Sequence, residues 1–203
     1  MHGMDSKLRL IGVAGTNGSG KDTIGSLLSK NYRFWFISLT DILRDECRRR
    51  NLPVEREHLR NISAEWRREY GLGVMVDKCM DAFNALPDKD KYVGVVMSSF
   101  RNPYENDRMH ELGGQVVWVD ADPKVRYDRI QANAASRGRQ AEDSKTFEQF
   151  IAEEEAEMHP PSGADAAVLN MAAVKEKADI FLQNDSGQVE TFEKDLVAGL
   201  GVS

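Results

Sequence analysis

The stretch Gly15-Thr16-Asn17-Gly18-Ser19-Gly20-Lys21-Asp22-Thr23 constrains this chain more than any other. It follows the apolar run Leu8–Val13 and opens a segment with helical spacing, so a strand hands over to a helix through a glycine-rich loop ending in lysine. Gly15, Gly18 and Gly20 permit backbone conformations that a side chain would block. Amides freed in this way can converge on phosphate oxygens at a helix N-terminus, where the dipole also favours an anion. Lys21 adds a point charge for β- and γ-phosphates, and Thr23 a hydroxyl for a magnesium ion. This is the layout of a phosphate-binding P-loop. It departs from the usual pattern at Asp22, which separates the lysine from the hydroxyl residue and is electrostatically unfavourable beside a triphosphate unless it points away from the phosphates.

Further along, short apolar runs alternate with helical stretches. Phe34–Ser38, Tyr92–Met97, Val116–Val119 and Ile180–Leu182 are the remaining candidate strands. Between them, Leu59, Ile62, Trp66 and Tyr70 share a helical face, as do Met80, Phe83 and Leu86, and Gly71 stops the first of these helices. Such alternation predicts an α/β fold with a five-stranded parallel sheet and helices on both faces, in one domain of 203 residues. In sheets of this kind ligands lie beyond the carboxyl ends of the strands, where the glycine-rich loop falls.

Three further groups of residues are expected at those strand ends. After the second strand, Ser38-Leu39-Thr40-Asp41-Ile42-Leu43-Arg44 places Asp41 and Arg44 on one helical face, and the planar fork of arginine suits phosphate. The same pair would also suit the surface of a capped helix. After the third strand comes Arg101-Asn102-Pro103-Tyr104-Glu105, where Pro103 fits a first helical turn and leaves Arg101 in a strand-end loop. After the fourth, Arg126 and Arg129 lead to a basic loop with Arg137 and Arg139, then to an acidic helix over Phe147–Glu157. Such a loop could close over a transferring phosphate. The run Glu153-Glu154-Glu155 and Arg48-Arg49-Arg50 read as solvated helix faces.

Composition narrows the partners. With 27 Lys and Arg against 33 Asp and Glu, the net charge is −6, so clustered arginines favour small anionic ligands over nucleic acid. Cys47 and Cys79 lack metal-ligand spacing and read as small apolar helix residues. No apolar run has transmembrane length and no leader pattern is present, so a cytoplasmic protein without membrane partners is expected; oligomeric state is left open.

With these residues in hand, the chain resembles the nucleoside monophosphate kinase branch of P-loop proteins. Its nearest likeness is to small dephospho-CoA-kinase-like, adenylate-kinase-related nucleotide kinases, over roughly residues 7 to 198. The motifs at Gly15–Thr23, Asp41–Arg50, Trp66–Gly71, Arg101–Glu105, Arg137–Arg139 and Ala178–Asn184 occur in the order seen there. The resemblance implies a three-layer P-loop fold with an acceptor-binding helical region about 40–86 and a small lid about 134–160. It implies ATP on Gly15, Asn17, Gly18, Ser19, Gly20, Lys21, Asp22 and Thr23, with Asn184 near the base and Mg²⁺ on Thr23. It implies an acceptor phosphate held by Arg44 and Arg101, with Asp41 ordering the region and Arg137 and Arg139 as lid arginines. Lys21, Arg101, Arg137 and Arg139 would carry catalysis.

The implied activity is transfer of the γ-phosphate of ATP to a small phosphorylated acceptor, foremost a nucleoside monophosphate. Dephospho-CoA kinase activity and a regulatory ATP-binding role are the alternatives. One departure bears on them. Relatives often carry Asp-Gly before the Arg-Asn-Pro string, whereas Ser98-Ser99 stands here. Either Thr23 and waters hold magnesium alone, or another acid such as Asp22 or Asp120 supplies the charge, or catalysis is weak or lost.

Overall fold

The computed structural model describes residues 8–133 and 145–202. Strand β1 (Arg9–Gly15) leads through the glycine loop into α1 (Lys21–Tyr32). Strand β2 (Phe34–Ser38) is followed by three helices, α2 (Leu39–Arg49), α3 (Arg56–Tyr70) and α4 (Val74–Asn84). Then come β3 (Gly94–Phe100), α5 (Pro103–Glu111), β4 (Gln115–Asp120) and α6 (Pro123–Ala132). After residues 134–144, α7 (Phe147–Met158), α8 (Met171–Glu176), β5 (Ile180–Gln183) and α9 (Val189–Leu200) complete the described chain.

The five strands form one parallel sheet in the order β2-β3-β1-β4-β5, which puts β1 at its centre. Period-two alternation divides the core between its two faces. Leu10, Ala14, Val95, Met97, Val116 and Trp118 meet one set of helices, through Leu43, Ile62, Trp66, Met75, Phe83 and Met109. Ile11, Val13, Val96, Val117 and Val119 point the other way, to Ile24, Leu28, Phe192 and Leu196 of α1 and α9. Because both faces are covered, the central strands read as unbroken apolar runs.

Details at the strand ends prepare the site. Gly15 ends β1 with φ 145°, and a Cβ there would lie 2.0 Å from the Val119 carbonyl oxygen, so only glycine lets β1 and β4 run this close. On the other side, Val13 pairs with Ser98 but Ala14 pairs with Phe100, leaving Ser99 as an extra residue with φ 75°. Such a bulge re-aims a strand end, here the one that delivers Arg101. Gly71 ends α3 and Pro103 opens α5, as their sequence contexts predict. Cys47 and Cys79 are buried in α2 and α4. Tyr70 departs from expectation: it shares the apolar spacing of α3 but is exposed, at the last residue of the helix.

Candidate active site

Gly20 sits at the N-terminus of α1 with φ 109°, and Gly18 has φ 81°, so both use the left-handed region that glycine reaches without strain. A Cβ on Gly20 would lie 2.6 Å from the side-chain nitrogen of Asn184. That amide donates to the Ser19 carbonyl at 2.8 Å, tying the loop after β5 to the glycine loop. Asn184 therefore braces the P-loop backbone. The Ser19 hydroxyl is buried and donates to the Thr16 carbonyl at 2.8 Å, so this side chain shapes the loop and does not face the cleft. Gly15 closes β1 behind the loop. Asn17, Gly18, Gly20, Lys21, Asp22 and Thr23 all line the cleft itself.

Lys21 Nζ donates to the carbonyls of Gly15, at 2.9 Å, and Thr16. Burial lowers its pKa to about 8; the charges of Arg101 and Arg126 act in the same direction, and Asp22 and Glu157 oppose them. A lysine so placed gains most from an anion that restores its preferred charge.

The two acids left open as magnesium partners part company here. Asp120 accepts from the Thr16 hydroxyl at 2.8 Å and from the Ala121 amide at 2.9 Å, and it lies within 4 Å of Arg126 and Lys175. Its carboxylate is occupied in holding the loop, and it does not line the cleft. Asp22 does line it, beside Thr23, and accepts from the Ser98 hydroxyl at 3.3 Å. A carboxylate borne by α1 thus lies against Ser98 near the end of β3.

The opposite wall is built from α2, α3 and the turn after β3. Ser38 caps α2 through its side chain, and Arg44 pairs with Asp41 at 2.6 Å with the guanidinium mostly buried and the carboxylate exposed. Both residues line the cleft, so the pair is not confined to the outer surface. Arg101 is set by a buried framework. Glu105 accepts from the backbone amides of Arg101 and Asn102 at 2.7 and 3.1 Å. The same carboxylate pairs with Arg67 at 2.6 Å, with both side chains at most 3% exposed. Arg67 also donates to the Ala167 carbonyl at 3.0 Å, and the Asn102 side chain donates to Ala166 and Val168 at 2.8 Å each. Every bond in this framework holds either the turn that presents Arg101 or the segment packed behind it.

Two expectations about charge are corrected. The glutamate run of α7 is not simply a solvated face. Glu154 forms a two-pronged pair with Arg126, which is 2% exposed, donates to the Asn17 carbonyl and so joins α6 and α7 to the P-loop. Glu153 takes Lys145 and Arg56. The exposed Arg48 and Arg49 fit the solvated reading, but Arg50 bridges Glu46 and Glu65 at 2.7 Å each. The sequence hid Arg126 and Glu154 because they lie 28 residues apart and meet only when α7 returns beneath α6.

Together these walls enclose a cleft of about 640 Å³ beyond the carboxyl ends of β1, β2 and β3. It brings Lys21, Asp22 and Thr23 together with Asp41, Arg44, Arg101 and Asn184. Arg137 and Arg139 lie outside the described residues. Among those described, no group of three His, Cys, Asp or Glu side chains could hold a metal, and no helix is long and apolar enough to cross a membrane.

The AAA domain family (AAA_18) matches residues 11–156, a span that runs from β1 through the P-loop to α7. The chain belongs to this family. It also belongs with the UPF0200 proteins: one from Hyperthermus butylicus is 30% identical over 142 residues, covering 70% of this chain and 71% of that one. Another, from Methanococcus maripaludis, is 25% identical over 179 residues, covering 88% of this chain and 93% of its own. Among solved structures, the chain is similar to a shikimate kinase from Bacteroides thetaiotaomicron, with TM-score 0.60 and 17% identity over 96% of this chain and 99% of that one. A Thermus thermophilus protein, TT1252, gives TM-score 0.56 and 20% identity over 96% and 97%. At these identities the structural likeness establishes the fold, which is that of the P-loop kinases. This AAA_18 chain thus joins a kinase-like fold to a cleft lined by Lys21 on one wall and by Arg44 and Arg101 on the other.

Proposed function

We propose that this protein is an ATP-dependent phosphotransferase that moves the γ-phosphate to a small nucleotide acceptor, foremost a nucleoside monophosphate. The observation that carries the reading is the shared cleft: the P-loop lysine lines one wall, and Arg44 and Arg101 line the other. A simple ATPase needs the first wall only. Phosphoryl transfer asks for positioning and charge neutralisation more than for covalent chemistry from the protein. In this reading the amides of Gly18 and Gly20 and the Lys21 ammonium hold the donor phosphates. Arg44 and Arg101 hold the acceptor, whose oxygen attacks the γ-phosphorus as the bond to the β–γ bridging oxygen breaks and ADP leaves. Helices α2 to α4 serve as the acceptor-binding region, and the segment about 134–160, with Arg137 and Arg139, as the lid.

Thr23 and Asp22 offer a hydroxyl and a carboxylate from the first turn of α1, both hard oxygen donors suited to a magnesium ion that keeps several waters and bridges substrate phosphates. When bound there, Mg²⁺ would neutralise charge on the β- and γ-phosphates. Asp22 is favoured over Asp120 because the latter is committed to Thr16 and Ala121.

Arg44→Ala and Arg101→Ala test the two-wall assignment. Each should raise the acceptor KM about tenfold or more, as expected when a charge-assisted contact is lost, with ATP affinity held within about twofold. An equal loss for both substrates would contradict it.

A further inference from the structure

One carboxylate in the acceptor half serves three arginines. Glu157, near the C-terminal end of α7, accepts from Arg101, lies 3.0 Å from Arg60 and lies 3.6 Å from Arg56. All four side chains line the cleft. Glu157 is 17% exposed, against 30% for Arg56, 50% for Arg60 and 31% for Arg101. The guanidinium groups come from two separate elements, α3 and the turn after β3, and converge on α7. Arg56 also reaches Glu153 at 3.2 Å, and Glu153 is held by Lys145. Burial alone would raise the Glu157 pKa, but the three arginines outweigh it and hold the group below the ordinary carboxylate range. Glu157 is therefore a charged anion in a half-buried nest of cations.

A phosphate monoester makes the same demands as that carboxylate and makes them more strongly, having more acceptor oxygens and about twice the charge. We propose that Arg56 and Arg60 join Arg101 as the anion subsite for the acceptor, and that Glu157 occupies this subsite from within until the acceptor's phosphate displaces it. The inference rests on the acceptor half of the proposed function and adds Arg56, Arg60 and Glu157 to it. It has a selectivity consequence. A neutral acceptor cannot repay the loss of Glu157, so sugars and other uncharged alcohols are rejected, while monoesters with a dianionic phosphate are admitted. Because α7 also carries Glu153, paired with Arg56, and Glu154, whose partner Arg126 contacts the P-loop at Asn17, release of Glu157 loosens one of the three acidic ties between α7 and the rest of the site.

The test is a binding measurement that needs no turnover. With the P-loop filled by saturating ADP, inorganic phosphate and AMP are titrated by calorimetry into the wild type, Glu157→Gln, Arg60→Gln and the double variant. Glu157→Gln should tighten both probes about five- to tenfold, equivalent to about 1–1.4 kcal/mol. Arg60→Gln should weaken them, the double variant should lose most of the gain, and ADP affinity should stay within about twofold. Unchanged or weaker probe binding in Glu157→Gln, or a gain that survives in the double variant, would overturn the subsite. Thermal unfolding of each variant confirms that the fold persists. Silence in a transferase assay with intact phosphate binding would count against the proposed reaction and leave the subsite standing.

Discussion

The buried pair Arg67–Glu105 gives the sharpest stability prediction. Both side chains are at most 3% exposed, and the carboxylate accepts three N–H donors: Arg67, and the amides of Arg101 and Asn102. Arg67→Met removes one partner and leaves a buried carboxylate with backbone amides alone. Breaking a buried pair from one side costs about 3–5 kcal/mol. For a domain of this size, about 2–4 °C of melting temperature is lost per kcal/mol, which predicts a fall of about 6–20 °C. Glu105→Gln should cost a similar amount, since it strands Arg67 and turns an amide N–H towards other donors. The double variant removes both charges, so its cost should fall short of the sum by about 2–3 kcal/mol. Urea unfolding followed by tryptophan fluorescence measures all three, with Trp66 next to Arg67 in α3. Additive losses, or an Arg67→Met cost under about 1 kcal/mol, would refute the claim that this pair is the keystone of the Arg101 turn.

Three further outcomes follow from the donor wall. Lys21 has its pKa lowered from 10.5 to about 8, so in the free protein it is charged below pH 8 and neutral above it. Metal-free ADP affinity should therefore hold steady below pH 8 and fall with rising pH above it, by up to about tenfold per unit; Lys21→Met should flatten that dependence, and an unchanged profile in the variant would assign the titration elsewhere. The same shift has a stability sign: between pH 8 and 10.5 the unfolded chain holds the Lys21 proton that the folded chain has released, so this residue adds stability as pH rises through that window. Asp22→Asn should raise the Mn²⁺ concentration needed to form the ADP–metal complex about tenfold, read by electron paramagnetic resonance, and Asp120→Asn should not reproduce that effect.

Much of this was legible in the chain because its signals are local. Strand β1, the glycine loop and the start of α1 are contiguous, so their hydrophobic run and glycine spacing are read directly. Arg44 and Arg101 follow strands, and the rule that ligands lie beyond parallel strand ends was enough to place them. The rest is carried by contacts between distant segments, which local spacing does not show. Arg67 and Glu105 are 38 residues apart, and Arg101 and Glu157 are 56 apart. Neither pairing follows from spacing, and a run such as Glu153–Glu155 looks solvated until the helix opposite is known to carry arginines. Tyr70 failed for another reason: apolar periodicity continued to the last residue of α3, where the ring is left exposed with the Lys78 ammonium 5.4 Å from its centre. Asn184 lines the cleft, and its bond to the Ser19 carbonyl is a further contact that its position in the sequence does not reveal.

The central claim is that one cleft serves two substrates. It is tested most directly by ADP formation from ATP–Mg²⁺ across a panel of nucleoside monophosphates and dephospho-CoA, with the Lys21→Ala variant as control. The account predicts that a phosphorylated acceptor raises ADP formation well above the acceptor-free rate, with ADP and phosphorylated product in equal amounts and no activity in a folded Lys21→Ala. ADP formation indifferent to every acceptor, or full activity without Lys21, would contradict it.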